Sequence, residues 1–234
     1  MLQRIPAGER RLLDIGCGAG LQANAATRAG WQVVGVDITL AMIRQAAASS
    51  TGDVRWVVAA AESLPFRAKS FDAAMMLGLI GYVADPLATL RAARVCLRPG
   101  GSLIVSWHCR AVLLGILSRA LTFVPRRLYA LFRAPQIHKY VSQDTETPLG
   151  VFYDRFNRAW YGDEFQKLLG SAGLRQREER VVDFGRLRFF GLPLWPEIVD
   201  VGISRALEAL AHVRPFSLLK RWAFMHVVLA EPAV

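Results

Sequence analysis

Cysteine is scarce: Cys17, Cys96 and Cys109 are the only three in 234 residues, with no CxxC pair and no Cys/His spacing. An odd, scattered set supports neither a disulfide scaffold nor a zinc site, so reduced thiols and no metal are expected. Long apolar runs are missing too. The patch Ala111 to Leu117 is bounded by Arg110 and Arg119 and falls far short of the ~20 residues of a membrane span. The opening MLQRIPAGERR lacks the apolar stretch of a secretory signal. The expectation is a cytoplasmic chain, at most peripherally attached to the inner face of a membrane. Lysine is confined to positions 69, 139, 167 and 220, which makes 25 of the 29 basic residues arginine. Against 19 acidic residues the formal charge is +10. Arginine joined to so much alanine is what a GC-rich coding sequence also produces, so charge alone is a poor argument for nucleic acid.

What is present is a core. With 53% hydrophobic and 21% charged residues, the chain reads as one domain, 1–234, carrying insertions. Short apolar runs alternate with amphipathic, alanine-rich stretches, the pattern of βαβ units around a parallel sheet. Strands are expected at Arg11 to Ile15, Gln32 to Asp37, Val54 to Ala59, Phe71 to Leu77 and Ser102 to Trp107, with helices at Leu21 to Ala29, Leu40 to Ser49 and Pro86 to Cys96. Asp85 before Pro86 caps the last of these, and Arg98-Pro99-Gly100-Gly101 ends it. Downstream, Asp163 reads as a cap, Phe165, Leu168, Leu169 and Ala172 as one helical face, and Gly173 as a stop. Strands through Val181 and from Trp222 to Ala230 complete seven, leaving insertions at 109–161 and 183–221.

Leu12-Leu13-Asp14-Ile15-Gly16-Cys17-Gly18-Ala19-Gly20 runs off the first strand into the first helix, where the backbone turns tightly and approaches a ligand. A GxGxxG fingerprint would need glycine at Leu21, so the spacing argues against NAD or FAD. Asp14 brings a carboxylate to the loop, which suits a cationic or amine-bearing ligand and repels a pyrophosphate. Asp37, ending the second strand, stands where a carboxylate accepts from both hydroxyls of a ribose.

With Ala59-Ala60-Ala61-Glu62-Ser63-Leu64-Pro65-Phe66 after the third strand and Phe71-Asp72 opening the fourth, residues 11–107 resemble the class I S-adenosylmethionine (SAM) dependent methyltransferases. The likeness is to the small-molecule, type-11-like branch around ubiquinone and menaquinone C-methylases. LLDIGCGAG, VVGVD, AESLPF, FDAAMMLGLIGYVADP and RVCLRPGG carry it, with a weaker return at Trp160 to Leu174. The resemblance implies a Rossmann-like α/β fold: a seven-stranded, mostly parallel sheet, helices on both faces and an α-helical lid insertion. It implies SAM as cofactor and S-adenosylhomocysteine as product. Asp14, Gly16, Cys17, Gly18 and Gly20 would hold the methionine end, Asp37 with Ile38 the ribose side, and the Ala61 backbone the adenine edge. The Leu77 carbonyl would meet the methionine amine. Where the family often has an aspartate for the adenine amine, this chain has Ala60; Glu62 or water would have to substitute. A covering helix usually precedes the first strand, yet about ten residues do so here; either the true start lies upstream or the insertions close the site.

The acceptor must be read from the insertions, because methyl transfer needs mainly alignment, water exclusion and, for oxygen or nitrogen, a base. From Arg110 to Lys139 there are six basic residues and no acid, among aliphatics and Phe132. Such a greasy cover with a cationic rim suits a small hydrophobic or amphiphilic acceptor (a natural product, quinone or lipid precursor) or an anionic membrane surface, although two core helices with solvated arginines would read alike. His108 after the fifth strand is the first candidate base, with His138 and Tyr140 behind it. Tyr82, Trp107, Phe132 and Trp195 are candidate substrate contacts, and His226 reads as a core or edge residue. Two rival functions stay open: a SAM-binding or partner-binding pseudoenzyme, and an RNA methyltransferase. The second is disfavoured because the basic run is interleaved with aliphatics and not with an aromatic stacking platform.

Overall fold

The fifth strand departs most from the sequence pattern. In the computed structural model, which describes residues 1, 2, 5, 10–110, 158–183, 188, 189, 192, 193, 197–213, 218–220, 223 and 225–233, β5 covers Leu97–His108 and follows α3 (Pro86–Cys96) without a gap. Leu97 already pairs with Phe71 of β4 (Phe71–Met76), and an irregularity then sets Ser102 opposite Ala73. Pro99-Gly100-Gly101 is therefore a bulge inside the strand and not a linker before it. The other elements fall within a few residues of their expected bounds: β1 (Arg11–Ile15), α1 (Leu21–Arg28), β2 (Gln32–Asp37), α2 (Leu40–Ala48) and β3 (Val54–Val58). After the insertion come α4 (Gly162–Ser171), β6 (Leu174–Asp183), β7 (Arg188–Phe189), β8 (Leu192–Pro193), α5 (Glu197–Ala211) and β9 (Met225–Pro232).

The helix ends show why. Asp85 caps α3, its carboxylate accepting from the Ala88 amide at 3.0 Å, with Pro86 in the first turn. Asp163 does not cap α4. The cap position is Tyr161, whose amide donates to Glu164 Oε2 at 3.0 Å, and Asp163 lies in the first turn facing Lys167 at 3.7 Å.

The chain divides into two compact units. The first comprises 1–108, 160–180 and 226–234. Its sheet has the order β3-β2-β1-β4-β5-β9-β6, with parallel pairing of β1 to β2 and β4, of β2 to β3 and of β4 to β5. Leu12, Val33, Ala73, Met75, Ile104 and Leu229 share one apolar cluster with Ala23 and Ala26 of α1. The intervening residues Leu13, Ala74 and Leu103, on the opposite face, are equally inaccessible. Both faces are thus covered, as a parallel sheet requires. Strand order reverses between β1 and β4, which opens a crevice at their carboxyl ends. At the amino end Asp72 is a clamp: it accepts the Arg11 amide at 2.9 Å and pairs with Arg98 at 3.0 Å.

The second unit comprises 109–159 and 181–225. It contains α5, the antiparallel pair β7–β8 and a small cluster of Val181, Leu207, Ala211, Leu219 and Ala223. Among the described residues no helix is long and apolar enough to cross a membrane. The lid expected from Arg110 to Lys139 lies, beyond Arg110, outside the described residues, as do Phe132, His138, Tyr140 and Trp195.

Candidate functional site

The turn from β1 into α1 hangs on its neighbour strand. The amides of Gly16 and Cys17 both donate to the Val36 carbonyl, at 2.8 and 2.9 Å, and the Gly20 amide donates to the Cys17 carbonyl at 2.9 Å. The Gly18 amide donates to Asp37 Oδ2 at 3.0 Å, while the Thr39 amide donates to Oδ1 at 2.8 Å. Asp37 therefore holds the loop as well as offering its remaining lone pairs. Gly20 answers to packing: at φ 82, a Cβ there would fall 2.6 Å from the Trp56 ring. Gly18 answers to no described residue, for at φ 52 none of their atoms lies within 4 Å of the place its Cβ would take. Its open side leaves room for a ligand at the turn.

Burial and like charge shape the electrostatics of the turn. Asp14 is 3% exposed, and its Oδ2 has no hydrogen-bond partner among the described residues. Burial first, then the neighbouring Asp37, pushes its carboxyl from 3.8 to about 7, eased by a hydrogen bond from the Ala23 backbone. Cys17 feels the same surroundings: burial, Asp14 and Asp37 push its thiol up to about 12, which makes it an inert packing residue. A phosphate-binding loop aims its amides at the ligand. Here four of them are spent internally and two carboxylates converge, so a nucleoside with a cationic tail fits and a pyrophosphate does not.

The remaining expected residues divide. Ile38 is 69% exposed beside Asp37, an apolar surface free to lie against a nucleoside. Ala61 is nearly buried, in a turn closed by the Ser63 amide on the Ala60 carbonyl at 3.1 Å. Glu62 does not stand idle for an adenine amine: its Oε1 accepts the Ala84 amide at 3.1 Å, tying the β3–β4 loop to the crossover that carries Tyr82. His108 ends β5 half-buried, and its carbonyl accepts the Trp160 amide at 3.0 Å. Trp107 is not a pocket wall. It is 2% exposed, stacked between His226 (ring centroids 4.3 Å apart) and Phe165 (4.8 Å). Period two in a strand cannot say that α4 and β9 cover this end of β5. His226 is core as expected, its Nδ1 2.7 Å from Glu179 Oε1. Sequence reasoning missed Gly78, Leu79 and Ser106, of which only the glycine after β4 left a local signal. An apolar groove of about 440 Å³ beside α3, lined by Leu64, Phe66, Leu87 and Val95, shares only Glu62 with these residues. Its carboxylates Glu62 and Asp85 each hold a backbone amide, of Ala84 and Ala88 respectively.

Comparison with known proteins finds a match over the segment that contains this turn. Residues 13–105 match the methyltransferase domain family. They contain the whole constellation of Asp14, the glycine turn, Asp37 and the β4 crossover. The matched segment, under half of the chain, is similar to the class I SAM-dependent methyltransferases. The ubiquinone biosynthesis O-methyltransferase of Cereibacter sphaeroides is 38% identical over 107 residues, 44% of this chain and 42% of that protein. The chain thus spans less than half the length of such curated relatives in the alignment. A solved SAM-dependent methyltransferase from Methanosarcina mazei is similar along the whole chain and 97% of its own, at 18% identity and TM-score 0.62. A solved 4+2 cyclase, at 19% identity and TM-score 0.58 over 97% of this chain and 76% of its own, shares the fold.

SAM is the cofactor of such methyltransferases, and the residues of this turn fit it on their own geometry: the unpartnered Asp14 oxygen, the open side of Gly18 and the lone pairs of Asp37. Asp37→Ala removes the anchor of the Gly18 amide together with the carboxylate expected to accept from the ribose hydroxyls. It should weaken SAM by ~2 to 3 kcal/mol in a calorimetric titration. Unchanged affinity would place the ribose elsewhere.

Proposed function

We propose that the chain transfers the methyl group of SAM to an oxygen, carbon or nitrogen of a small hydrophobic or amphiphilic acceptor, such as a quinone, lipid precursor or natural product. The observation that carries this reading is the internally satisfied glycine turn flanked by a buried carboxylate with one unpartnered oxygen, which favours a cationic nucleoside. The likeness to O-methyltransferases named for ubiquinone biosynthesis supports an acceptor of the phenolic, long-chain kind. When bound, SAM supplies an electrophilic methyl for in-line displacement. The protein's part is to hold the amino-acid end at Asp14, the ribose at Asp37, and to exclude water. For an oxygen or nitrogen acceptor His108, at the carboxyl end of β5, is the first candidate to take the proton. His138 and Tyr140 follow it, while Tyr82, Phe132 and Trp195 are the candidate acceptor contacts. Incubating the chain with methyl-labelled SAM and a pool of phenols, quinols and amines, then reading labelled products by mass spectrometry, tests the reading. Transfer to none of them, by a chain that binds SAM, would overturn it.

A second reading, SAM binding without methyl transfer, draws on Ala60, on the commitment of Glu62 to Ala84, and on a fold shared with a cyclase. The same labelled incubation separates the two.

The basic, acid-free segment from Arg110 to Lys139 favours an anionic head group or an anionic bilayer surface at the acceptor side. Changing Arg126 and Arg127 together to glutamine should raise the acceptor KM, or loosen anionic vesicles in a salt-sensitive way, and leave SAM affinity alone. Unaltered kinetics and unaltered vesicle binding at low salt would reduce these arginines to a solvated face.

A further inference from the structure

We propose that Ser106 is a positioning residue for the amino-acid end of the cofactor, acting through the turn Leu77–Leu79 at the carboxyl end of β4. The inference rests on the SAM reading above and assigns a role to a side chain on the neighbouring strand. Ser106 is a buried hydroxyl, 4% exposed, between Val105 and Trp107 in an otherwise apolar stretch of β5. The β4–β5 pairing ends with Met76 opposite Val105, so Ser106 stands one step beyond the ladder. There the chain leaves the sheet through Gly78, at φ 70, and the Gly78 amide donates to Ser106 Oγ at 2.7 Å. The hydroxyl takes over the acceptor's part that a β5 carbonyl would otherwise play.

Peptide planarity carries the consequence. The Gly78 amide and the Leu77 carbonyl belong to one trans peptide group and point in opposite directions. Holding the N–H toward β5 turns the Leu77 carbonyl away from β5, to the side on which β1 and its glycine turn lie. The next residue closes the arrangement: Leu79 lies so close to Gly16 that a Cβ there would be 2.9 Å from its methyl carbons. The Tyr82 amide then donates to the Leu79 carbonyl at 2.8 Å, and Glu62 holds the Ala84 amide farther along. Ser106 thus sets the direction of a carbonyl at the switch point between β1 and β4, the side from which Asp14 offers its unpartnered oxygen. An α-ammonium group is the donor that two such acceptors share.

The test uses two ligands that differ only in the amino-acid end. S-adenosylhomocysteine carries it; methylthioadenosine has the nucleoside and sulfur without it. Calorimetric titration of the intact chain with both is compared for wild type, Ser106→Ala and Ser106→Thr. The alanine variant should lose about tenfold in affinity for S-adenosylhomocysteine and keep methylthioadenosine within about twofold, and the threonine variant should recover most of the loss. Equal losses for both ligands, or none for either, would overturn the positioning role, since a merely structural hydroxyl makes no distinction between them. Wild type that binds neither ligand would instead bring down the SAM reading, and this inference with it.

Discussion

Gly18→Val is expected to leave the chain folded and to abolish binding of SAM and S-adenosylhomocysteine, a loss of more than about a hundredfold. Two properties of one position produce this separation. No described atom lies within 4 Å of the place a Cβ would take, so the substituent meets none of the described residues. It projects instead into the space at the carboxyl end of β1. The positive φ of 52 adds strain of roughly 1–2 kcal/mol for a branched side chain, tolerable for a domain with a core on both sheet faces. Gly20→Val is the control with the opposite signature. There a Cβ would meet the Trp56 ring at 2.6 Å and Ala46 at 3.1 Å, so this variant should melt early whether or not ligand is present. A folded Gly18→Val chain that retains SAM would remove the glycine turn from the site.

The second large effect is a pH dependence centred on Asp14. Its carboxyl titrates near 7 in the folded chain and near 3.8 when unfolded, because burial and then Asp37 oppose its charge. The folded state therefore holds a proton that the unfolded state has released. The stabilisation from this group is complete below about pH 4 and is lost as pH rises through about 7, a fall of roughly 4 kcal/mol for the ligand-free protein. A cationic ligand reverses the preference, since only the ionised carboxylate pairs with an ammonium group. Affinity for SAM should thus climb about tenfold per pH unit up to about pH 7 and level off above it, with proton release on binding. Asp37 and the Ala23 backbone are the other groups acting on this carboxyl, and neither supplies a counter-charge. Asp14→Asn should flatten both profiles, stabilise the free chain at pH 8 and weaken SAM there. Melting curves and titrations from pH 5.5 to 8.5 check this; a wild-type affinity that does not vary with pH would contradict it.

Elements built from local pattern were legible in the amino-acid sequence. The first four apolar runs, the Asp85–Pro86 start of α3 and the GxGxG turn all rest on residues within one element, and the structure places them within a few residues. What escaped was non-local. Ser106 looks like a stray polar residue until β5 lies beside β4, and its bond to Gly78 spans 28 positions of sequence. Trp107 reads as a strand-end aromatic facing a ligand until α4 and β9 stack Phe165 and His226 against it. Leu97 joins β5 because Phe71 is its partner, which the helix-stopping Pro99-Gly100-Gly101 conceals. Glu62 has the right chemistry to read an adenine amine, yet a backbone amide 22 residues away claims one of its oxygens.

The central claim is that this turn takes a cationic nucleoside and not a dinucleotide. Titrating the intact chain with SAM and, in parallel, with NAD tests it most directly. Saturable one-site binding of SAM, competed by S-adenosylhomocysteine, with no heat from NAD, is the expected result; binding of NAD, or no binding of SAM, would contradict it.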